Sequence, residues 1–282
     1  PPQENPSQNA ALPDSMESES ESKSQSESGT ESTAAPAGGS STRDASASAA
    51  AGRKTCMHLK LQGTVQEIKN ESPFATRQIP LTPLLKQLRD FAGDEQIGAG
   101  FLEDRGFSAS LAQLWEIRKA LLELKKRGKQ VLYYADSYDT RNYYLASAAS
   151  ALVLNEAGGW EVTGIAMEFT FLKDALAMLG IQADFLQVGK YKGAAENLTR
   201  SSMSPELRTS LNALLDSLYA SWTFETAAGR AITEAELRAA VNEGFLPPEK
   251  ALQKRLIDRV ADVSQELDSL RRQFDVRIPE KP

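Results

Sequence analysis

The chain has 282 residues, 41% of them apolar and 25% charged, enough to bury one sizeable core. Its net charge is −6, and residues 1–50 supply all of that excess, with eight acidic side chains against two basic ones. The rest of the chain is neutral and has no basic stripe, which argues against a nucleic-acid partner.

Residues 1–52 contain only Leu12 and Met16 as large apolar side chains among Ser, Glu, Ala, Gly and Pro. Such a segment cannot bury enough surface to offset its ordering entropy, so a disordered acidic tether is expected there. The folded domain is expected over 53–282. The chain starts at Pro1 and ends Pro-Glu-Lys-Pro, as a processed or excised piece would. No apolar run reaches the roughly 18 residues that a membrane span needs.

CMHLKLQGTVQEI (56–68) alternates with period two and predicts a strand. Thr82-Pro83 predicts a helix over LLKQLRDFA, capped by Thr82. QIGAGFLED predicts a second strand. Leu111, Leu114, Ile117, Leu121 and Leu124 fall at helical spacing, and Lys125-Lys126-Arg127-Gly128 ends that helix. VLYYA (131–135) predicts a third strand, YYLASAASA a short helix, and LVLN (152–155) a fourth strand. WEVTGI predicts a further strand, FLKDALAML a helix, and ADFLQV (183–188) a strand that runs into Gly189-Lys190-Tyr191-Lys192-Gly193. Strands alternating with helices in this way imply parallel βαβ units. Beyond Ser204-Pro205-Glu206 the chain reads as helical, over about 205–275. Thr233-Glu-Ala-Glu236 is a capping box, and Pro248 and DVSQELDSLRRQF open further helices.

Cys56 is the single cysteine, which excludes an internal disulfide and a zinc site on paired cysteines. His58 is the single histidine, and its alternating context marks it as a structural strand residue. Gly98-Ala99-Gly100 is a poor dinucleotide loop: it lies inside a strand, and Glu103 stands where a third glycine belongs. Glu103-Asp104 are adjacent at a strand end and are expected to be solvated loop charges. No metal or other cofactor is called for.

Lys192 and its neighbours stand apart. Gly189, Gly193, Ala194 and Ala195 leave room for close approach of another segment, and no acidic residue intervenes before Glu196. The bland reading is a solvated loop. The sharper one is a lysine walled off from water. Free lysine titrates near about 10.4, so a lysine base must be desolvated until it is neutral near pH 7.

The run Gly189–Glu206 resembles the signal peptide peptidase A (protease IV) family, whose pattern is Gly-x-Tyr-Lys-Ser-Ala followed by a Met-Ser-Pro helix start. YYLASAASALVLNEAGGWEVTGI resembles that family's upstream helix–strand–turn, and the likeness extends over about 56–265. It implies a crotonase/Clp-protease-like α/β fold and serine endopeptidase activity through a Ser-Lys dyad on hydrophobic peptides such as cleaved signal peptides. On that match Lys192 is the general base. Membership also implies a ring-shaped homo-oligomer at the bacterial inner membrane, with the domain on the extracytoplasmic side.

The departures are specific. The family's nucleophile lies in Ala-Ser-Gly-Gly-Tyr, and here the matching stretch is Asp139-Thr140-Arg141-Asn142-Tyr143. The oxyanion loop, Ser-Pro-Gly-Gly in the family, matches Asp104-Arg105-Gly106-Phe107. A domain with the lysine and without the serine matches the first of two tandem domains in long members, the serine coming from a second domain or neighbouring subunit. Alone, such a chain is expected not to hydrolyse peptides. The alternatives are Thr140 acting as nucleophile, a catalytically inactive homologue serving as an oligomeric scaffold, and an acyl-CoA enzyme of the same fold, which lacks the Tyr-Lys to Met-Ser-Pro run.

Overall fold

The computed structural model describes residues 52–67, 78–186 and 188–279. The tether predicted over 1–52 lies outside them except for Gly52. By internal contacts the chain divides after Asp44, and every described residue belongs to the second unit.

A parallel sheet forms the body. Its strands are β1 (Thr55–Gln66), β2 (Gln78–Pro80), β3 (Ile97–Ser108), β4 (Gln130–Ala135), β6 (Ala151–Leu154) and β8 (Arg259–Val260), in the spatial order β2-β1-β3-β4-β6-β8. A last strand, β9 (Asp275–Arg277), pairs with the start of β1, also parallel. Helices α1 (Leu81–Gly93), α2 (Leu111–Lys126) and α3 (Thr140–Ala146) make the crossovers, so the expected α/β class with parallel βαβ units is present. Two short strands, β5 (Tyr138–Asp139) and β7 (Trp160–Glu161), form a separate parallel pair.

Period-two alternation sorts the side chains. Leu102, Tyr133 and Leu152 face the large core under α1–α3, whereas Phe101, Tyr134 and Val153 face a smaller core with Leu270 of α9 (Val263–Gln273). Helix α2 opens with Ser110 in a full capping box with Gln113 and closes on Lys125 and Lys126. In α1 the expected cap moves. The helix begins at Leu81 behind Pro80, so Thr82 and Pro83 lie in its first turn, and no side chain caps it.

The helical C-terminal portion follows: α6 (Pro205–Arg230), α7 (Glu234–Glu243), α8 (Pro248–Gln253) and α9, preceded by the short α4 (Lys173–Met178) and α5 (Glu196–Thr199). Ser204 caps α6 and Thr233 caps α7 in a capping box with Glu236, as the sequence predicted. No helix among the described residues is long and apolar enough to cross a membrane.

One expected strand is shortened and another is absent among the described residues. WEVTGI keeps only Trp160–Glu161, and the described part of ADFLQV is irregular and largely exposed. An isolated extended segment leaves its N–H and C=O groups unpaired, so it becomes a strand only where a sheet edge receives it. Here β8 already lies along β6. The described residues of 166–195 instead form a largely exposed arm that adds no strand to the sheet, and its end is tied to the first turn of α6 through Gly193 and Leu207.

Candidate active site

Strand β3 runs four residues beyond Asp104 and is paired with β1 and β4 on its two edges, so Glu103-Asp104 lie inside the sheet and not at its end. Glu103 is 2% exposed and Asp104 5%, which corrects the expectation of solvated loop charges. Alternation sends the two carboxylates to opposite sides of the sheet. Glu103 meets His58 Nε2 at 2.5 Å and accepts from Arg105 Nε at 2.5 Å. Burial works to raise the Glu103 pKa, but Arg105 and His58 outweigh it and leave the carboxyl below its ordinary range. Burial lowers the pKa of His58, against the pull of Glu103. His58 is thus a buried, hydrogen-bonded residue, consistent with the structural role expected of it.

Asp104 lies where the resemblance sets the oxyanion loop. Its Oδ1 accepts the backbone N–H of Gly106 at 3.1 Å and of Phe107 at 2.9 Å. Its Oδ2 accepts from the Tyr133 hydroxyl at 2.9 Å and from Asn142 Nδ2 at 3.3 Å. The amides that would stabilise a tetrahedral oxyanion are therefore already bonded to a side chain of the same loop. Burial still pushes the Asp104 carboxyl above its usual range, against these donors.

The turn matching the nucleophile is closed as well. Asp139 caps α3, accepting from the amides of Arg141 at 2.7 Å and Asn142 at 2.8 Å, and Asn142 Oδ1 accepts from the Asp139 amide. Thr140 Oγ1 donates to the carbonyl of Gly164 at 3.0 Å. The carbonyl of Thr140 accepts the indole N–H of Trp222 at 3.0 Å.

Lys192 is exposed on the arm, so within this chain the expected wall around it is missing. Among the described residues of 183–188 there is no strand to carry the lysine to the mouth of the sheet. Its side chain has no ion pair among the described residues. Its position is nevertheless defined. A Cβ on Gly193 would lie 2.7 Å from the Leu207 side chain, so this glycine is pressed against the first turn of α6. Glu196 closes the same turn, accepting from the Ser204 amide at 2.8 Å and from the Ser204 hydroxyl at 2.5 Å, while Ser204 Oγ accepts from the Leu207 amide at 3.1 Å. Lys192 thus sits beside Leu207, and Thr140 sits beside Trp222. Fifteen residues of α6 separate them, about 22 Å at 1.5 Å per residue. That is farther than a lysine side chain reaches, so Lys192 and Thr140 of one chain do not meet as a dyad.

The Peptidase family S49 model matches residues 123–277, more than half of the chain and inclusive of both Thr140 and Lys192. The chain belongs to peptidase family S49. Within that family it is 26% identical over 190 residues to the chloroplastic serine protease SPPA of Arabidopsis thaliana, covering 67% of this chain and 28% of that protein. It is 29% identical over 175 residues to Protease 4 of Haemophilus influenzae, covering 62% and 28%. The chain therefore spans about a quarter to a third of the length of these curated relatives. Among solved structures, the 1510-N membrane-bound stomatin-specific protease is similar at 14% identity and a TM-score of 0.38, covering 77% of this chain and 83% of that one.

The sequence pointed to the motifs but missed two features. One is the Asp104 network, which needs knowledge of how far β3 extends. The other is the Glu196–Ser204 clamp, whose eight-residue spacing has no short-range signature. The capping pair Asp139 and Asn142 was legible in principle from its three-residue spacing. Among the described residues no group of three His, Cys, Asp or Glu side chains is placed to hold a metal ion.

Proposed function

We propose that this chain is the lysine-contributing domain of a Ser-Lys serine endopeptidase acting on hydrophobic peptides such as cleaved signal peptides. The serine comes from a second domain or from a neighbouring subunit of a ring. One observation carries the reading. The chain's own nucleophile and oxyanion positions are spent on internal hydrogen bonds, while Lys192 is held about 22 Å away along α6 on an unpaired, outward arm.

In this reading the neutral Nζ of Lys192 takes the proton of a serine hydroxyl as its oxygen attacks the scissile carbonyl. The lysine then returns that proton to the departing amine, and water cleaves the acyl-enzyme by the same route. A neutral lysine needs desolvation, and in the isolated chain this side chain is exposed. The partner that brings the serine must also cover the lysine. The place of action is the extracytoplasmic side of the bacterial inner membrane, carried over from the family resemblance.

The test is peptide hydrolysis. This chain alone should cleave no hydrophobic peptide and take up no fluorophosphonate. The assembled peptidase should label at one serine and lose cleavage by at least about 10³-fold on Lys192→Ala. Undiminished cleavage by Lys192→Ala would move the chemistry elsewhere. A second reading, an inactive scaffold, is favoured by the same occupied oxyanion amides, and absence of any fluorophosphonate-labelled serine in the assembly would select it.

A further inference from the structure

Thr140 stands where the family places its nucleophile, and its two polar groups are used in a way that the peptidase chemistry does not require. The hydroxyl donates to the carbonyl of Gly164, and the carbonyl accepts from the indole of Trp222. Gly164 lies at the root of the outgoing leg, two residues after Val162, which is fully buried. Beyond Ile165 the leg is largely exposed, and none of its described apolar side chains packs against the buried core. Trp222 belongs to the returning leg, α6, at the point where that helix enters the core. The two legs are tied together nearby: the Tyr219 ring stacks on Trp222 with centroids 5.8 Å apart and lies within 3.7 Å of where a Gly164 Cβ would stand.

We propose that Thr140 is a positioning residue whose hydroxyl pins the outgoing leg of the lysine-bearing arm beside the point where its backbone carbonyl holds α6, and that this role has replaced nucleophilic chemistry at the position. The inference rests on the reading of Lys192 as the base. Its force comes from leverage. The tip carrying Lys192 lies about 22 Å along α6 from the clamp, so a rotation of about 5° at the root moves the amine by about 2 Å. A misplacement of about 1 Å at a reacting centre can cost about 100-fold in rate. Loosening the clamp misplaces the base rather than removing a binding contact, so it should lower kcat more than it changes KM.

The experiment compares Thr140→Val, which keeps the shape and removes the hydroxyl, with Thr140→Ser, which keeps the hydroxyl. In the assembled peptidase Thr140→Val should lower kcat at least about 10-fold with KM changed less than about 2-fold, and Thr140→Ser should stay within about 3-fold of the parent. In this chain alone, backbone amides over 162–172 should exchange with deuterium faster in Thr140→Val than in the parent or Thr140→Ser. Equal kcat in Thr140→Val, or unchanged exchange over 162–172, overturns the clamp. Lys192→Ala serves as the control. If that variant keeps its activity, the base reading fails, and the exchange comparison alone then decides whether Thr140 holds the arm.

Discussion

At the scale of single residues, Asp104 controls the candidate site. Its carboxylate satisfies the amides of Gly106 and Phe107, the Tyr133 hydroxyl and the Asn142 amide group. Asp104→Ala strands these buried donors and should cost about 2–4 kcal/mol, read by urea unfolding. Asp104→Asn keeps an acceptor for the loop amides and should cost less. Burial raises the folded carboxyl above its unfolded value. The raised value means that stability from this group is fully present below the unfolded pKa of about 3.9 and is lost as pH rises through the folded pKa. Unfolding free energy should therefore fall, relative to Asp104→Asn, as pH is taken from about 3 to above the folded value. Parallel pH curves for the two proteins would refute this assignment. The sequence hid the residue for a simple reason. Two adjacent carboxylates without a partner histidine nearby in sequence look solvated, and only the length of β3 and its central place in the sheet bury them.

At the scale of elements, α6 joins the body to the arm, and its approach to the body depends on a glycine. A Cβ at Gly229 would lie 2.2 Å from the carbonyl oxygen of Ser147, a backbone atom that no side-chain rotation relieves. Arg118 binds the same junction, donating to the carbonyls of Tyr144 and Glu225 and to the Ser147 hydroxyl. Gly229→Ala gains about 1 kcal/mol in helix propensity, yet the clash forces α6 outward and should dominate. A net loss of about 2 kcal/mol is expected, lowering Tm by about 5 °C. A variant as stable as the parent would mean that α6 shifts freely at this contact. Most such elements were legible, because their signals are local: Ser204-Pro205 at the start of α6, Thr233 and Glu236 at α7, the apolar runs of β4 and β6. ADFLQV carried the same kind of signal and did not become a strand. Its apolar residues record a wish to be buried and say nothing about whether a sheet edge is free to receive them.

At the scale of the whole molecule, the arm is the anomaly. Ten of the sixteen exposed large apolar side chains among the described residues lie between Met167 and Tyr191, a stretch that contributes no strand to the sheet. Met178 is 87% exposed and Leu186 fully so. Covering each would contribute about 1.5–3 kcal/mol, which makes a bare arm an unfavourable resting state at high protein concentration. The lysine lies six residues beyond Leu186, so a surface that covers the apolar stretch also approaches the amine. On the proposed reading, assembly and covering of Lys192 would be one event, and the exposed lysine of the lone chain is compatible with a base that would function only in a complex. Met178→Asp with Leu186→Asp disturbs no buried contact in the monomer, so the variant should fold with an unchanged Tm. Its self-association, followed by sedimentation velocity over a range of concentrations, should weaken by at least about 100-fold. Assembly at the parent's concentration would show that the arm is not the contact surface, and the desolvation of Lys192 would then need a different cover.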